Sequence, residues 1–397
     1  MRTAPWTRFT TTKKMTRPQL ELADVVRNFG QSFIDQHQPN GYQMRVLNAI
    51  EQCRTAALGG HLYACDNCGL VQISYNSCRN RHCPKCQGSN QTAWVDALLH
   101  RAYPVQHYHL VFTVPECLNA VCMADSRWFY SKLFDAVWQT LRAFGYSKYG
   151  VETGAVCVLH TWGQNLSLHP HIHCLMPALG YDLRQKFKAI GKKDSFLFPV
   201  RQLSLSFKGR LLAAVKAKLK AQNRLQDFKA ELEKAWATPW VVFCQPSFAS
   251  AKYVIQYLGQ YTHRVAISNS RLLKMDDKHV TFNMKDYADH SRVKPLTISG
   301  TEFLRRFCLH ILPKSFVRIR HFGICSSRFR SKVLANDQDL KLPEPKPATK
   351  EDGEEQALST AVFCCPACQK GKMVAVAVIP RARSPDSPQA AQKTVSF

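Results

Sequence analysis

The chain has 397 residues, of which 45% are hydrophobic and 11% aromatic, enough apolar material for two or three domains with packed cores. This composition excludes a wholly disordered chain. The 54 Lys and Arg residues outnumber the 28 Asp and Glu residues and give a formal net charge of +26. Such a charge favours a polyanion, and nucleic acid above all, as the partner. No segment approaches the run of about 18 apolar residues that a membrane span needs, so no membrane partner is expected.

The N-terminal residues are basic and Thr-rich, but they contain no apolar segment before a small-residue cleavage site and so do not indicate secretion. The 16 cysteines are therefore expected to be reduced. Six of them fall between residues 53 and 86. In a reducing compartment, that concentration predicts bound metal.

The periodicity of apolar residues predicts a mixture of helices and strands. Two short amphipathic helices are expected between residues 18 and 52, and a basic amphipathic helix or helix pair over residues 203–236. Residues 331–360 are polar, acidic and Pro-bearing, which indicates a linker. The other predicted elements are helices at 90–100 and 249–261 and strands at 108–114, 155–162, 171–176, 264–267 and 280–284.

Two Cys-x-x-Cys motifs stand out in the N-terminal part of the chain. Cys65 and Cys68 form the first, Cys83 and Cys86 the second, and 14 residues separate them. Thiolates spaced in this way on a tight turn converge on one ion, and four of them complete a closed tetrahedral zinc site. The motifs therefore predict one structural zinc bound by these four cysteines.

The same segment contains ligands for a second zinc. The alternative is that Cys53 is buried as a small hydrophobic residue and that His82 contacts phosphate. The candidate ligands are Cys53, His61, Cys78 and His82. Basic residues nearby predict contact with nucleic acid, and the candidates are Arg79, Arg81 and Lys85.

Histidines alternate through residues 169–173, where a strand is expected to begin. Residues two apart on a strand point to the same face, so His171 and His173 can present two imidazoles to one divalent metal while Ile172 enters the core. A bound ion with open positions can polarise a phosphoryl oxygen. A third ligand is needed, and the sequence leaves Gln164, His160 and His109 as alternatives.

Tyr253, Tyr257 and Tyr261 follow one another at intervals of four and share one face of the predicted helix. Spacing alone is equally typical of an aromatic stripe packed on a core. Polar neighbours such as Arg264 suit phosphate, however, and a nearby metal would make a phenol an adequate nucleophile.

Five segments in this order resemble a rolling-circle insertion-sequence transposase of the HUH class with an N-terminal zinc-binding domain. The resemblance covers most of the chain from about residue 18 to about residue 330. The segments are CRTAALGGH at 53–61, NSCRNRHCPKCQ at 76–87, HTWGQNLSLHPHIHCLMP at 160–177, YLGQYTHRVAISNSRL at 257–272 and VRIRHFG at 317–323.

The resemblance implies a DNA transposase that cleaves and joins single-stranded DNA at transposon ends and target. His171 and His173 match the His-hydrophobic-His motif that binds Mg²⁺ or Mn²⁺ in this class. Tyr257 and Tyr261 match the Tyr-x-x-x-Tyr pair that forms a 5′-phosphotyrosine, and the register leaves Tyr253 with Tyr257 as an alternative pair. The resemblance also implies that the protein lies in the bacterial cytoplasm and associates with the nucleoid. It further implies the host replication machinery as a partner.

Contacts with single-stranded DNA are expected in two places. The basic residues of 203–234 suit the phosphate backbone. Trp162, Phe112 and Tyr261 are candidates for stacking on unpaired bases.

The expected fold class is α/β, in the α+β sense: a small zinc-bound N-terminal domain, then an HUH-type nuclease domain whose central antiparallel sheet is flanked by helices.

A third Cys-x-x-Cys motif, Cys365 and Cys368, is half of a zinc site and has no second pair of cysteines after it. It is predicted to bind no metal, unless it pairs with a distant ligand such as Cys325. A non-catalytic zinc-dependent DNA-binding regulator, or an inactive transposase copy, is the alternative function. The predicted limits are a basic tail 1–17, a zinc-binding domain 18–104, a nuclease domain 105–330, a linker 331–360 and a C-terminal tail 361–397.

Overall fold

The computed structural model describes residues 20–87, 95–99, 101–191, 197–245, 265–286, 289–334 and 363–382. The predicted helix 249–261, the three tyrosines that it carries and Arg264 lie outside these residues. Most of the predicted linker lies outside them as well, but its first four residues form the end of a helix (Ser327–Leu334).

Several helices begin and end at residues that satisfy their terminal backbone groups. Asn40 caps the second helix by accepting hydrogen bonds from two backbone amides of the first turn, both at 3.0 Å. The longest helix has Asp125 at its N-cap and ends at Gly150, whose φ of 68° suits glycine. No helix of the described residues is both long enough and apolar enough to cross a membrane. The helices with described bounds are α1 (Leu22–His37), α2 (Gly41–Glu51), α3 (Asn119–Ala124), α4 (Ser126–Tyr149), α5 (Val200–Ala221), α6 (Lys229–Ala237), α7 (Gly300–Leu309) and α8 (Ser327–Leu334). Residues 95–99, within the predicted helix 90–100, are helical as well.

The strands occur in groups between these helices. They cover the predicted strands at 155–162, 171–176 and 280–284, and all of the predicted strand 108–114 except its last residue. They are β1 (Gly60–Cys65), β2 (Val71–Tyr75), β3 (His107–Thr113), β4 (Val151–Glu152), β5 (Gly154–Trp162), β6 (Leu168–Pro177), β7 (Leu179–Asp182), β8 (Phe187–Ala189), β9 (Val242–Gln245), β10 (Leu272–Met275), β11 (His279–Asp286), β12 (Arg292–Ser299), β13 (Ile319–Gly323), β14 (Phe363–Cys364) and β15 (Lys372–Ile379).

The strands form four antiparallel sheets. The central sheet has the order β13–β5–β6–β3–β9, and a second sheet has the order β14–β15–β1–β2. Two three-stranded sheets have the orders β4–β7–β8 and β10–β11–β12. Antiparallel sheets flanked by helices confirm the predicted fold class.

The two faces of the central sheet differ in character. One face contributes Leu159 and Ile172, together with neighbours on the other strands, to the main hydrophobic core beneath α4 and α5. Side chains alternate along a strand, so the histidines of β3, β5, β6 and β13 all point to the opposite face. The prediction that Phe112 stacks on bases is wrong, because the register of β3 buries this ring against Phe207.

A second hydrophobic core joins the N-terminal segment to the rest of the chain. It contains the apolar faces of α1 and α2, the side chains of Cys53, Cys83 and Cys86, and residues of β10, β11 and α7. Leu166, in the turn between β5 and β6, is buried in the same core. The central sheet and the cysteine-rich segment are therefore held in one packed unit.

Other differences from the sequence expectations lie in connecting segments. The sequence predicts a strand over 264–267, but its described residues, 265–267, form none, and Ala266 and Ile267 are instead buried in the second core. The basic stretch 203–236 forms two helices, α5 and α6. The C-terminal residues are not a separate tail over 363–379, because β15 pairs with the whole of β1 between Met373 and Ile379.

The contact between α1 and α7 depends on a glycine. A Cβ atom on Gly300 would lie 2.1 Å from the ring of Phe29, so one of the two helices would have to move. Overpacking of this kind costs about 1–3 kcal/mol, and we expect Gly300→Ala to lower the free energy of unfolding by that amount in denaturant titrations followed by circular dichroism.

Gly209→Ala is the matched control. Gly209 lies within α5, and among the described residues a Cβ atom added there would meet nothing within 4 Å beyond its own stretch of helix, so alanine should raise stability by about 0.5–1 kcal/mol. Equal effects of the two substitutions would contradict the packing of α1 on α7.

Candidate active site and cysteine clusters

Three histidines on two neighbouring strands meet on the central-sheet face opposite the main core. His160 of β5 is the direct cross-strand partner of His171 of β6, and His173 follows on the same face of β6. A ring nitrogen of each lies within 4.8 Å of those of the other two. The structure thus brings together the two histidines of the sequence motif and one of the three candidates for the third position.

Hydrogen bonding fixes the ring orientation of His171. Its Nδ1 lies 2.7 Å from the backbone carbonyl oxygen of His169 and must donate to it, because a carbonyl oxygen only accepts. The Nε2 lone pair is therefore available to a metal, an arrangement that is common in metal sites. Burial lowers the pKa of His171 to about 4, so the imidazole is neutral at neutral pH.

The other two candidates for the third ligand take different places. His109 lies beside His173, with its Nε2 3.0 Å from His173 Nδ1 and the two rings stacked at 5.2 Å. Burial lowers the pKa of His109 to about 4, which suits a neutral ring that orients its neighbour. Gln164 lies in the turn after β5, where its backbone carbonyl accepts a hydrogen bond from Arg271.

The turn between β5 and β6 is supported from the side of α7. The buried His310 donates from Nε2 to the carbonyl oxygen of Leu166 at 3.1 Å and accepts from the Thr161 hydroxyl at 3.2 Å. Trp162 stacks on His160 with a centroid distance of 4.9 Å. These contacts hold the end of β5 against β6, where the histidine cluster begins. His310 is a supporting residue that the sequence motifs did not single out.

Four cysteines of the N-terminal segment form one compact cluster: Cys53, Cys78, Cys83 and Cys86. The Sγ atom of Cys86 lies 3.5 Å from that of Cys53 and 3.6 Å from that of Cys78. Thiolates at the corners of a tetrahedron around zinc, with Zn–S bonds of about 2.3 Å, would be about 3.8 Å apart. The cluster has the dimensions of a closed structural zinc site.

The first Cys-x-x-Cys motif, which forms a tight turn called a knuckle, belongs to a different cluster. Cys65 and Cys68 group with Cys365 and Cys368 from the C-terminal segment. The predicted site of Cys65, Cys68, Cys83 and Cys86 is therefore wrong. Cys65 ends β1 at the tip of the β1–β2 hairpin, about 20 Å of strand from the hairpin base near which the N-terminal cluster lies, and one ion does not span that distance.

The predicted second site also differs from the structure. Cys53 and Cys78 belong to the N-terminal cluster, but His61 and His82 belong to neither cysteine cluster. His61 contacts the ring of Tyr63 in β1. His82 is buried next to Arg81, and burial lowers the pKa of His82 to about 3.

Two of the basic residues predicted to contact DNA make internal contacts instead. Arg81 donates to the carbonyl oxygens of Phe316 at 2.6 Å and Pro313 at 2.9 Å, which ties the N-terminal segment to the loop before β13. Lys85 forms an ion pair with Glu21 at 2.7 Å and is only 14% exposed. Arg79 is exposed and stays a candidate for DNA contact, while Arg264 lies outside the described residues.

Comparisons with known proteins find two matching families, one for the cysteine-rich part of the chain and one for the part that contains the clustered histidines. A family model described as "Transposase zinc-binding domain" matches residues 25–114, and one described as "Putative transposase" matches residues 154–332. The first range contains the N-terminal cysteine cluster, and the second contains the cluster of His160, His171 and His173.

Two relatives are similar over most of their length. "Putative transposase y4qJ" of Sinorhizobium fredii is 40% identical in an alignment 385 residues long that covers 92% of this chain and 96% of the relative. "Transposase for insertion sequence element IS801" of Pseudomonas savastanoi pv. phaseolicola is 27% identical over 78% of this chain and 76% of the relative. No solved structure matches the chain.

These similarities, with one family matching the N-terminal range and another the range 154–332, define a DNA-rearranging protein with a zinc-binding domain. The chain belongs to the transposase family whose members join a transposase zinc-binding domain to a second transposase domain. Its partner is accordingly DNA, which also accounts for the formal net charge of +26.

The role of Arg81 can be tested by stability. Arg81→Gln removes the donors to Phe316 and Pro313, and hydrogen bonds from charged groups are worth about 1.5–3 kcal/mol. We expect a loss of that size in the free energy of unfolding.

The exposed Arg79 provides the control for this substitution. Arg79→Gln should change stability by less than about 0.5 kcal/mol. If both variants were as stable as the parent chain, the internal role of Arg81 would be contradicted.

Proposed function

We propose that this transposase is an HUH-type nuclease and strand transferase that acts on single-stranded DNA through a metal-assisted tyrosine. The cluster of His160, His171 and His173 carries the proposal. Three imidazoles on one face of a sheet would hold an ion from one side and leave its other side open to a phosphate. Closed structural sites lack such an open side, which distinguishes this cluster from the cysteine sites.

The ends of the tyrosine-bearing segment support the proposal. Residue 245, the last before that segment, pairs with His109 in the central sheet. On the other side, Ala266 and Ile267 share the second core with Leu166 in the turn between β5 and β6. The described residues on the two sides of this segment therefore lie next to strands that carry the histidine cluster or next to the turn between them.

In the proposed reaction His160, His171 and His173 would hold a divalent ion, which would supply Lewis-acid polarisation to a non-bridging oxygen of the scissile phosphate. The phenolate oxygen of Tyr257 or Tyr261 attacks the phosphorus, and a tyrosine–phosphate bond forms as the bond to the 3′ oxygen breaks. The leaving 3′ oxygen takes up a proton and becomes a 3′-hydroxyl. A second tyrosine permits a second transesterification. The strands are then exchanged without hydrolysis, and the energy of the phosphodiester bond is kept.

The ligand set favours one of the two candidate ions. Mg²⁺ prefers oxygen ligands and octahedral geometry, whereas imidazole nitrogens suit transition metals. Among the described residues, the cluster contains histidines and no carboxylate. We therefore propose Mn²⁺ as the better-supported ion.

A groove between α5 and α6 suits single-stranded DNA. Trp236 is 60% exposed, and the ammonium groups of Lys208 and Lys216 lie 5.1 and 5.8 Å from its ring centroid. Trp236 and Lys216 line a groove of about 460 Å³. Aromatic side chains beside cations stack on unpaired bases and contact phosphates. Within the basic stretch 203–234, we therefore propose that DNA contacts the part of α5 around Lys208 and Lys216 that faces Trp236.

The direct test of the mechanism is incubation of the purified protein with labelled single-stranded DNA from the ends of its element and Mn²⁺ or Mg²⁺, followed by denaturing electrophoresis. We expect a covalent adduct that Tyr257→Phe combined with Tyr261→Phe abolishes and that His171→Ala reduces at least 100-fold, the scale of a lost catalytic group. DNA binding by these variants should be retained.

His279→Ala is the matched histidine control, because His279 is exposed on β11, where its Nδ1 lies 3.4 Å from Asp276 Oδ1. It should leave adduct formation unchanged. DNA binding without any adduct in the parent chain would contradict the proposal and favour a zinc-dependent DNA-binding regulator or an inactive copy. An adduct that persists in the double tyrosine variant would point to Tyr253.

The groove can be tested by binding. Trp236→Ala should weaken binding of single-stranded DNA by about 10- to 100-fold in fluorescence titrations, the effect of losing one base stack. Leu205→Ala, which removes an equally exposed apolar side chain of α5, should leave the affinity unchanged. Equal effects of both substitutions would exclude a specific stack at this site.

A further inference from the structure

The C-terminal Cys-x-x-Cys motif lies outside both ranges that match family models, and the proposed chemistry does not use it. Its backbone nevertheless repeats the turn of the first N-terminal knuckle. Gly69 N donates to Cys65 O at 3.1 Å, and Gln369 N donates to Cys365 O at 3.0 Å. The residue after the second cysteine has a left-handed φ in both turns, 69° at Gly69 and 55° at Gln369. Two knuckles built alike therefore face each other.

The sulfur atoms of the two knuckles interleave. Cys65 Sγ lies 3.7 Å from Cys368 Sγ, and Cys68 Sγ lies 3.7 Å from Cys365 Sγ. A disulfide would need about 2.05 Å. A tetrahedron of thiolates around zinc has edges of about 3.8 Å, which these separations match.

Backbone amides already point at these sulfurs. Asn67 N and Cys68 N each lie 3.5 Å from Cys65 Sγ, and Gly371 N lies 3.3 Å from Cys368 Sγ. Hydrogen bonds of this kind stabilise metal-bound thiolates and orient them. Neither cysteine pair needs to rearrange before it binds an ion.

We propose that the chain holds a second structural zinc that is shared between its two ends, with Cys65 and Cys68 as one pair of ligands and Cys365 and Cys368 as the other. The C-terminal segment is then part of the zinc-binding domain, across a linker and the whole nuclease domain. This inference is independent of the tyrosine mechanism, and either can fail without the other.

The sheet around the site explains what the shared zinc does. β1 lies between β2 and β15, so without the C-terminal segment it would be an edge of a two-stranded hairpin, which is marginally stable alone. Asp66 N donates to Lys372 O at 3.1 Å and Lys372 N donates to Asp66 Oδ1 at 2.8 Å beside the knuckles. The ion fastens β15 to β1 at the end where both knuckles lie.

Zinc content tests the proposal. It is measured by mass spectrometry of the metal in purified full-length protein carrying His171→Ala, so that the histidine cluster does not contribute. We expect two zinc ions per chain, one for each cysteine cluster. Cys368→Ser should reduce the content to one, and Cys364→Ser should not change it, because the exposed Cys364 belongs to neither cluster. One zinc in the parent chain, or two in Cys368→Ser, would overturn the proposal.

A second experiment examines the fastening itself. A protease site inserted within the linker, between residues 345 and 355, allows the full chain to be cut after folding. The C-terminal fragment should co-elute with the larger fragment in size-exclusion chromatography and separate after zinc is removed with a chelator. Release of the fragment from the cut parent chain while both zinc ions stay on the larger fragment would overturn the proposal.

Discussion

The antiparallel pairing of β5 with β6 is the constraint on which the candidate active site depends. Their register sets His160 directly opposite His171 and leaves His173 one step along the same face. A shift of β6 by one residue would turn His171 and His173 towards the core and Ile172 away from it. The buried apolar face therefore fixes the register, and the register fixes the arrangement of the three histidines on the other face.

The turn between these strands links the site to the cysteine-rich segment. Leu166 lies in the same hydrophobic core as Cys53 and Cys83, and its carbonyl oxygen accepts a hydrogen bond from His310. Arg81 adds a second connection to the loop that precedes β13. A structural zinc in the N-terminal cluster would thus stabilise the second core and, through it, the end of β5. This gives the zinc-binding domain a mechanical role beside any contact with DNA.

The sequence predicted those features that depend on local periodicity. Alternation through residues 169–173 was sufficient to set His171 and His173 on one face, and the apolar spacing was sufficient for α1, α2, β3, β5 and β11. Local periodicity could not choose among His160, His109 and Gln164 as the third candidate ligand. That choice depends on which strand pairs with β6 and in which register. Burial of Phe112 likewise follows from the sheet's orientation towards α5, which local spacing does not encode.

The assignment of the cysteines failed for a related reason. A Cys-x-x-Cys motif specifies a turn with two converging thiolates, but not which other pair completes the tetrahedron. The nearest pair in sequence, Cys83 and Cys86, is separated from Cys65 by the length of a hairpin, whereas Cys365 arrives by strand pairing from the far end of the chain. Basic residues were misjudged in the same way, since Arg81 and Lys85 find partners that are distant in sequence.

The most direct test of the account is the location of manganese in crystals of the protein soaked in MnCl₂, determined by anomalous diffraction. The account predicts an anomalous peak within bonding distance of ring nitrogens of His160, His171 and His173, with further coordination positions occupied by water. Manganese that binds elsewhere while these rings stay unligated, or a closed four-ligand site at the three histidines, would contradict it.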